Sequence, residues 1–200
     1  MRAPLVLGLL IALAAVQGCY WKSILLGPNW SENYALQSMG AVASDPHIND
    51  GRYDTYGVAE PSEKGRTFLI TLPQPREIRR IVIYNYNLYK FDVRYWDLKR
   101  GVWRNAVVVR RRWSTSSRGA QERFDFRNVR FTTDKILIVV HRTVDDEVVD
   151  KLRLSPGDKV VGTRFTNIFG GVPVQVYRVL LEKPAVLREV ELYGLAPIRR

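Results

Sequence analysis

Arg79-Arg-Ile-Val-Ile-Tyr84 and Phe91-Asp-Val-Arg-Tyr-Trp96 are the two stretches that decide the fold of this chain. Both are short and dominated by β-branched and aromatic side chains, the composition of strands. Working outward from them, the same character recurs in Arg66 to Leu72, Val102 to Val109, Lys135 to His141, Val172 to Leu181 and Val186 to Tyr193. The first strand reading extends back to Glu77. Breakers stand between these runs: Pro73 and Pro75, Lys99-Arg100-Gly101, Ser114 to Gly119, Pro156-Gly157, Gly170-Gly171 and Pro184. A helical period is approached once beyond the N-terminal region, over Val144 to Leu154, which reads as a single helical excursion. Many strands without alternating helices predict an all-β chain, an antiparallel sandwich or barrel.

Three groups of residues then line up with one family. Ala41-Val-Ala-Ser44, followed by Asn49-Asp-Gly-Arg-Tyr-Asp-Thr55, resembles the opening of discoidin-like (coagulation-factor C-type) domains. The central pair quoted above, with Trp103 after its turn, is similar to that family's middle strands, and Arg188-Glu-Val-Glu-Leu-Tyr-Gly194 resembles its closing strand. The resemblance spans about residues 31 to 195 and implies a galactose-binding-like jelly roll, an antiparallel β-sandwich with its first and last strands adjacent. Tyr56-Gly57 stands where the family usually has a tryptophan, and His141 to Gly171 reads as an unusually long connection. Loops of that length are commonly functional. By position, the resemblance also implies a structural calcium ion held by Asp50, Thr55 and Glu191, with carbonyls of the turn completing the oxygen shell that calcium requires.

The N-terminus carries a different message. Arg2 precedes an apolar run from Leu5 to Val16, the n-region and h-region of an export signal, and the run is too short to span a bilayer. Val16-Gln-Gly-Cys19 resembles the lipobox of bacterial lipoproteins, and Cys19 is the chain's single cysteine, so it has no internal disulfide partner. The resemblance implies cleavage after Gly18 and acylation of Cys19. Residues 1–18 are therefore expected to be a lipoprotein signal peptide, 19–30 a membrane tether, 31–196 the folded domain and 197–200 a basic tail. Trp21 and Trp30 either sit at headgroup level or pack back on the domain. Tyr20, where many inner-membrane lipoproteins have aspartate, points to the outer membrane in a cell with two.

With 46% hydrophobic and 11% aromatic residues the chain is expected to be globular, and the 182 residues after Gly18 suffice for one substantial core. The net charge of +11 is concentrated: Arg76 to Arg130 holds 15 basic and 5 acidic residues, the whole surplus of the mature chain. In an exported protein such a block points to anionic envelope polymers or lipid headgroups, and not to nucleic acid.

Sugar recognition joins aromatic faces to a few placed polar groups. Tyr84-Asn-Tyr-Asn-Leu-Tyr89 supplies both in one inter-strand loop, and Arg110-Arg-Arg-Trp113 sets cations beside an indole. Tyr86, Asn87, Tyr89, Arg111 and Trp113 are the candidate ligand-binding residues. Catalytic patterns are missing: there is no Gly-x-Ser-x-Gly elbow, no phosphate-cradling loop and no HExxH. His47 and His141 lack metal-ligand spacing, and His141 reads as a packed core or edge residue. The acidic cluster Asp145, Asp146, Glu147 and Asp150 reads as an exposed loop face or a partner for the basic block. The expectation is a lipid-anchored, non-catalytic envelope module that binds carbohydrate or an anionic polymer. The alternative is a structural lipoprotein subunit docking onto another envelope protein.

Overall fold

A computed structural model describes residues 28–110, 121–168 and 171–197. It contains twelve strands: β1 (Val42–Ala43), β2 (Gly57–Ala59), β3 (Arg66–Ile78), β4 (Arg80–Asn85), β5 (Leu88–Asp97), β6 (Val102–Arg110), β7 (Arg123–Phe126), β8 (Phe131–Thr143), β9 (Glu147–Lys151), β10 (Lys159–Ile168), β11 (Val172–Leu181) and β12 (Ala185–Tyr193). They form antiparallel sheets in the orders β1-β3-β8-β5-β6, β2-β12-β4-β7 and β10-β11-β9.

The first two sheets face each other and enclose the core. Alternation along β3 and β8 turns Phe68, Ile70, Ile136, Ile138 and Val140 inward from one sheet, and Ile81, Ile83, Leu187, Val190 and Leu192 meet them from the other. Phe91 packs edge-on against Phe124 with ring centroids 5.0 Å apart, closing the layer between β5 and β7. Each such side chain contributes about 1.5–3 kcal/mol by leaving water. Val82 is also fully buried but lies outside that core cluster, among residues whose neighbours along β4 point inward.

Every predicted strand is present; β5 and β8 are longer than expected, and two other boundaries change for identifiable reasons. β3 runs on through Pro73 and Pro75, because the register to β8 shifts between Thr71 and Arg76 and leaves the prolines unpaired. The run from Glu77 to Tyr84 is broken at Arg79, whose N–H turns to the carbonyl of Tyr193 at 2.8 Å.

The expected helix over Val144 to Leu154 does not form, and the expected long loop from His141 to Gly171 is not a loop. Glu147–Lys151 is β9 and Lys159–Ile168 is β10, and both pair with β11. The β-branched pairs in Val148-Val149 and Val160-Val161 suit a sheet, and their partner strand lies well downstream, beyond the reach of local periodicity. This third sheet is held to the sandwich by a buried ion pair. Arg66 donates to Asp146 through Nη1 at 2.6 Å and Nη2 at 3.0 Å, with both side chains wholly buried. Asp146 also accepts from the Thr143 and Lys183 amides and the Thr143 hydroxyl. The exposed setting expected for the acidic cluster is thus wrong for Asp146.

The two ends of the described chain meet. Trp30 bridges to Leu195, the Ser31 amide donates to Gly194 at 3.1 Å, and the Ala196 amide donates to Asn29 at 2.9 Å. Residues 29 and 30, assigned above to the tether, are therefore stitched to the sandwich, and Arg80 lies 5.3 Å from the Trp30 ring. Trp21 lies outside the described residues.

Candidate functional site

The segment between Asn49 and β2 folds back over the outer face of the four-stranded sheet. Asp50 closes it: its carboxylate accepts from the Arg52 amide at 2.8 Å and from the Thr55 hydroxyl at 3.0 Å. Gly51 takes φ +81°, and a Cβ there would stand 3.2 Å from the Leu36 side chain, so glycine is required. The turn lays Tyr53 against Tyr84, with ring centroids 4.4 Å apart, and Tyr56 edge-on to Tyr86 at 5.2 Å. Arg188 sits 5.5 Å from the Tyr56 ring and Arg123 5.5 Å from that of Tyr84. Four tyrosines and two guanidinium groups from three strands, one loop and the β4–β5 turn thus share one surface. Tyr53, Tyr56 and Tyr86 are 49%, 43% and 52% exposed. The Tyr53 hydroxyl donates to Glu191 at 2.8 Å, and that bond, with burial, pushes its pKa well above the ordinary tyrosine value.

The β4–β5 turn that carries Tyr86 is braced by its asparagines. Asn85 receives the Leu88 amide and donates to the carbonyls of Leu88 and Gln121. Asn87 is 3% exposed; it donates to Asp145 at 2.7 Å and to the Pro184 carbonyl at 3.0 Å, and accepts from the Val186 amide at 2.7 Å. Its amide is therefore engaged with the protein, and it fixes the turn beside Tyr86. Tyr89 is half-buried, with the Lys90 ammonium 5.9 Å from its ring. Arg111 and Trp113 lie outside the described residues.

Of the positions implied for calcium, Asp50 and Thr55 hydrogen-bond each other, and buried Glu191 receives Tyr53. A third carboxylate, Glu189, belongs to the same corner: it is 1% exposed and neither oxygen has a hydrogen-bond partner. Burial drives its pKa up to about 8 and the negative charges of Asp50 and Glu191 add to this; the Gly51 amide lies near enough to oppose it but outside hydrogen-bond geometry. The sequence signal was present, since Glu189 and Glu191 are two apart on one strand and share a face. Among the described residues, no three His, Cys, Asp or Glu side chains gather as a metal-binding group.

His141 is exposed on β8, not packed in the core, and its Nε2 is 2.9 Å from Asp92. Burial favours the neutral form of Asp92, but hydrogen bonds from Arg110, His141 and Arg94 outweigh this and hold its pKa at about 2.

No family model and no curated protein matches the chain. Among solved structures, truncated AlyQ with CBM32 and alginate lyase domains is similar at 10% identity and TM-score 0.51, over 86% of this chain and 35% of that one. SpGH29 matches at 14% identity and TM-score 0.48, over 83% of this chain and 28% of that one. The family 32 carbohydrate-binding module of Streptococcus pneumoniae EndoD matches at 16% identity and TM-score 0.48, over 82% and 99%. This chain thus spans about a third of the first two. The likeness to AlyQ is one of fold, an antiparallel β-sandwich of the galactose-binding, CBM32-like kind.

Proposed function

We propose that this protein is a non-catalytic carbohydrate-binding module whose ligand lies across Tyr56 and Tyr86, with Arg188 and Arg123 reaching its hydroxyl or acidic groups. The observation that carries this is the group of exposed tyrosines, held in fixed orientations by ring contacts and by the braced turns beneath them. Aromatic walls with a few polar groups are the usual make-up of a small-ligand site, and the CBM32-like fold is in keeping with it. Asn87 positions the platform. The test is a glycan array probed with the purified chain and with Tyr56→Ala and Tyr86→Ala. Specific retention, weakened at least tenfold (about 1.4 kcal/mol) by either substitution while the melting temperature holds, is expected. Retention of no glycan would overturn the reading.

The export signal and lipobox support anchorage to a cell envelope, in the outer membrane where there are two, through acylated Cys19. Mass spectrometry of the mature N-terminus tests this, and an unmodified thiol there refutes it. The family resemblance supports a calcium ion held by Asp50, Thr55 and Glu191 with the buried Glu189 beside them, although among the described residues these carboxylates do not gather as a metal-binding group. Bound there, the ion would brace the first loop against β12 and do no chemistry. A second reading, docking onto another envelope protein, is favoured by the third sheet: among the described residues β10 is an edge strand, and its Phe165 is 74% exposed. Crosslinking to a specific protein, lost in Phe165→Ser, would support it.

A further inference from the structure

The pole of the sandwich where residues 29–31 meet 194–196 also carries the start of β8. Phe131 and Thr132 pair there with Ile78 and Glu77; the Glu77 carbonyl lies against Gly194, which is hydrogen-bonded to Ser31. Beside Phe131 an open pocket of about 400 Å³, within the size range of small-ligand sites, reaches the β5–β6 turn. Tyr95 and Phe131, stacked with ring centroids 4.2 Å apart, form its apolar wall with Leu98, and Lys99 and Arg130 supply cations. The single carboxylate in its walls, Asp97, is used within the turn: Oδ1 accepts from the Lys99 and Arg100 amides, and Oδ2 from Arg104 at 3.3 Å. The Asp97 carbonyl receives the Arg100 and Gly101 amides, so the turn is fixed with Leu98, Lys99 and Arg100 exposed. Lys99 and Arg100 form no ion pair with a described residue. Arg130, with its side chain 73% exposed, reaches Glu77 at 3.4 Å, and Glu77 is held more closely by Arg79 at 3.0 Å.

The same turn leaves apolar groups in water: Leu98 is 43%, Val102 47% and Trp103 36% exposed. Unpaired cations set among an exposed leucine, valine and indole suit the boundary of an anionic bilayer, where headgroup charge adjoins acyl chains. A soluble anion would engage the cations and leave the apolar groups wet. The place of this pole in the chain points the same way. Nine residues separate Cys19 from Pro28, a reach of at most about 30 Å, so an acylated Cys19 holds the pole of chain entry near the membrane. Tyr86 follows the far end of β4 from Arg80 and Trp30 and then faces away from it. We infer that this pole is a docking surface for an anionic phospholipid bilayer, with a headgroup phosphate taken by Lys99 and Arg130 and Leu98 entering the acyl boundary. The choice of a bilayer over a soluble phosphate ester rests on the anchorage reading; the pocket and its cations do not.

In the test, the full chain carrying Cys19→Ser, so that no acyl chain contributes, is sedimented with phosphatidylcholine vesicles with and without phosphatidylglycerol. Tighter binding to the phosphatidylglycerol vesicles, weakening as salt rises, is expected. Lys99→Gln and Arg130→Gln should each lower that affinity about fivefold, and Leu98→Ser should lower it at every salt concentration. All three side chains are exposed, so the melting temperature should hold in each variant. Tyr86→Ala should leave vesicle binding unchanged, and Lys99→Gln should leave glycan binding unchanged. Equal binding to the two kinds of vesicle overturns the inference, as does a preference that survives in both cation variants. Binding of glycerol phosphate or dextran sulfate through Lys99 and Arg130, without a vesicle preference, also overturns it. Mass spectrometry of the unsubstituted chain separates the two readings. An unmodified thiol at Cys19 with the vesicle preference intact refutes anchorage and leaves the docking surface standing, and an acylated Cys19 without the preference does the reverse.

Discussion

Replacing Glu189 by Gln keeps the side chain's size and removes its ability to ionise. In the folded protein this carboxyl is buried without partners and titrates near 8, against an ordinary value of 4.5. Folding therefore favours the protonated form. The stability it contributes is complete below 4.5 and is lost as pH rises towards 8, because the unfolded chain releases its proton earlier. With about 1.4 kcal/mol for each tenfold change, the loss is on the order of 3–4 kcal/mol between about pH 5 and about pH 9. Urea unfolding across that range, without calcium, should show wild-type stability declining and the Glu189→Gln profile nearly flat, with the variant more stable at the alkaline end. Millimolar calcium should restore the wild type and leave the variant unmoved, since an ion favours the ionised carboxylate. Parallel pH profiles for the two proteins would refute the assignment of a protonated, buried carboxyl. Parallel calcium responses would refute its part in holding an ion.

Breaking the clamp by Arg66→Met leaves Asp146 buried without its counter-charge and should cost about 3–5 kcal/mol, read as a lower denaturation midpoint. Asp92→Asn removes a carboxylate held at about 2 by Arg110, His141 and Arg94 despite burial. The wild type should lose that stability as pH falls from 3.8 through about 2, and the variant's acid-unfolding curve should lack this component. A Cβ at Gly57 would stand 2.1 Å from the Ile48 side chain, so Gly57→Ala should destabilise by about 1–3 kcal/mol through overpacking, measured by thermal melting.

The sandwich was legible because its long strands carry their own composition: Phe68, Ile70, Ile136 and Ile138 alternate into the core, and local pattern suffices to find them. β1, β2 and β7 span two, three and four residues, too few for a pattern to emerge. The third sheet was hidden because valines at 148, 149, 160 and 161 acquire meaning only from pairing with β11. At the site, the loop around Tyr86 was visible as an aromatic run. Tyr53, Tyr56, Arg123 and Arg188 were not, since the turn at Asp50 and the ladder of β12, β4 and β7 bring them together from distant positions. The asparagine at 87 looked like a ligand group on composition alone; its burial depends on Pro184 and Val186, nearly a hundred residues away.

The meeting of residues 29–31 with 194–196 has a mechanical consequence. Tension applied between these two neighbouring segments falls first on one β-bridge and a few hydrogen bonds that would part in sequence. Once this seam parts, the load passes to the Tyr34 amide on the Leu192 carbonyl and so into β12, the strand whose Arg188 and Glu191 support the tyrosine surface.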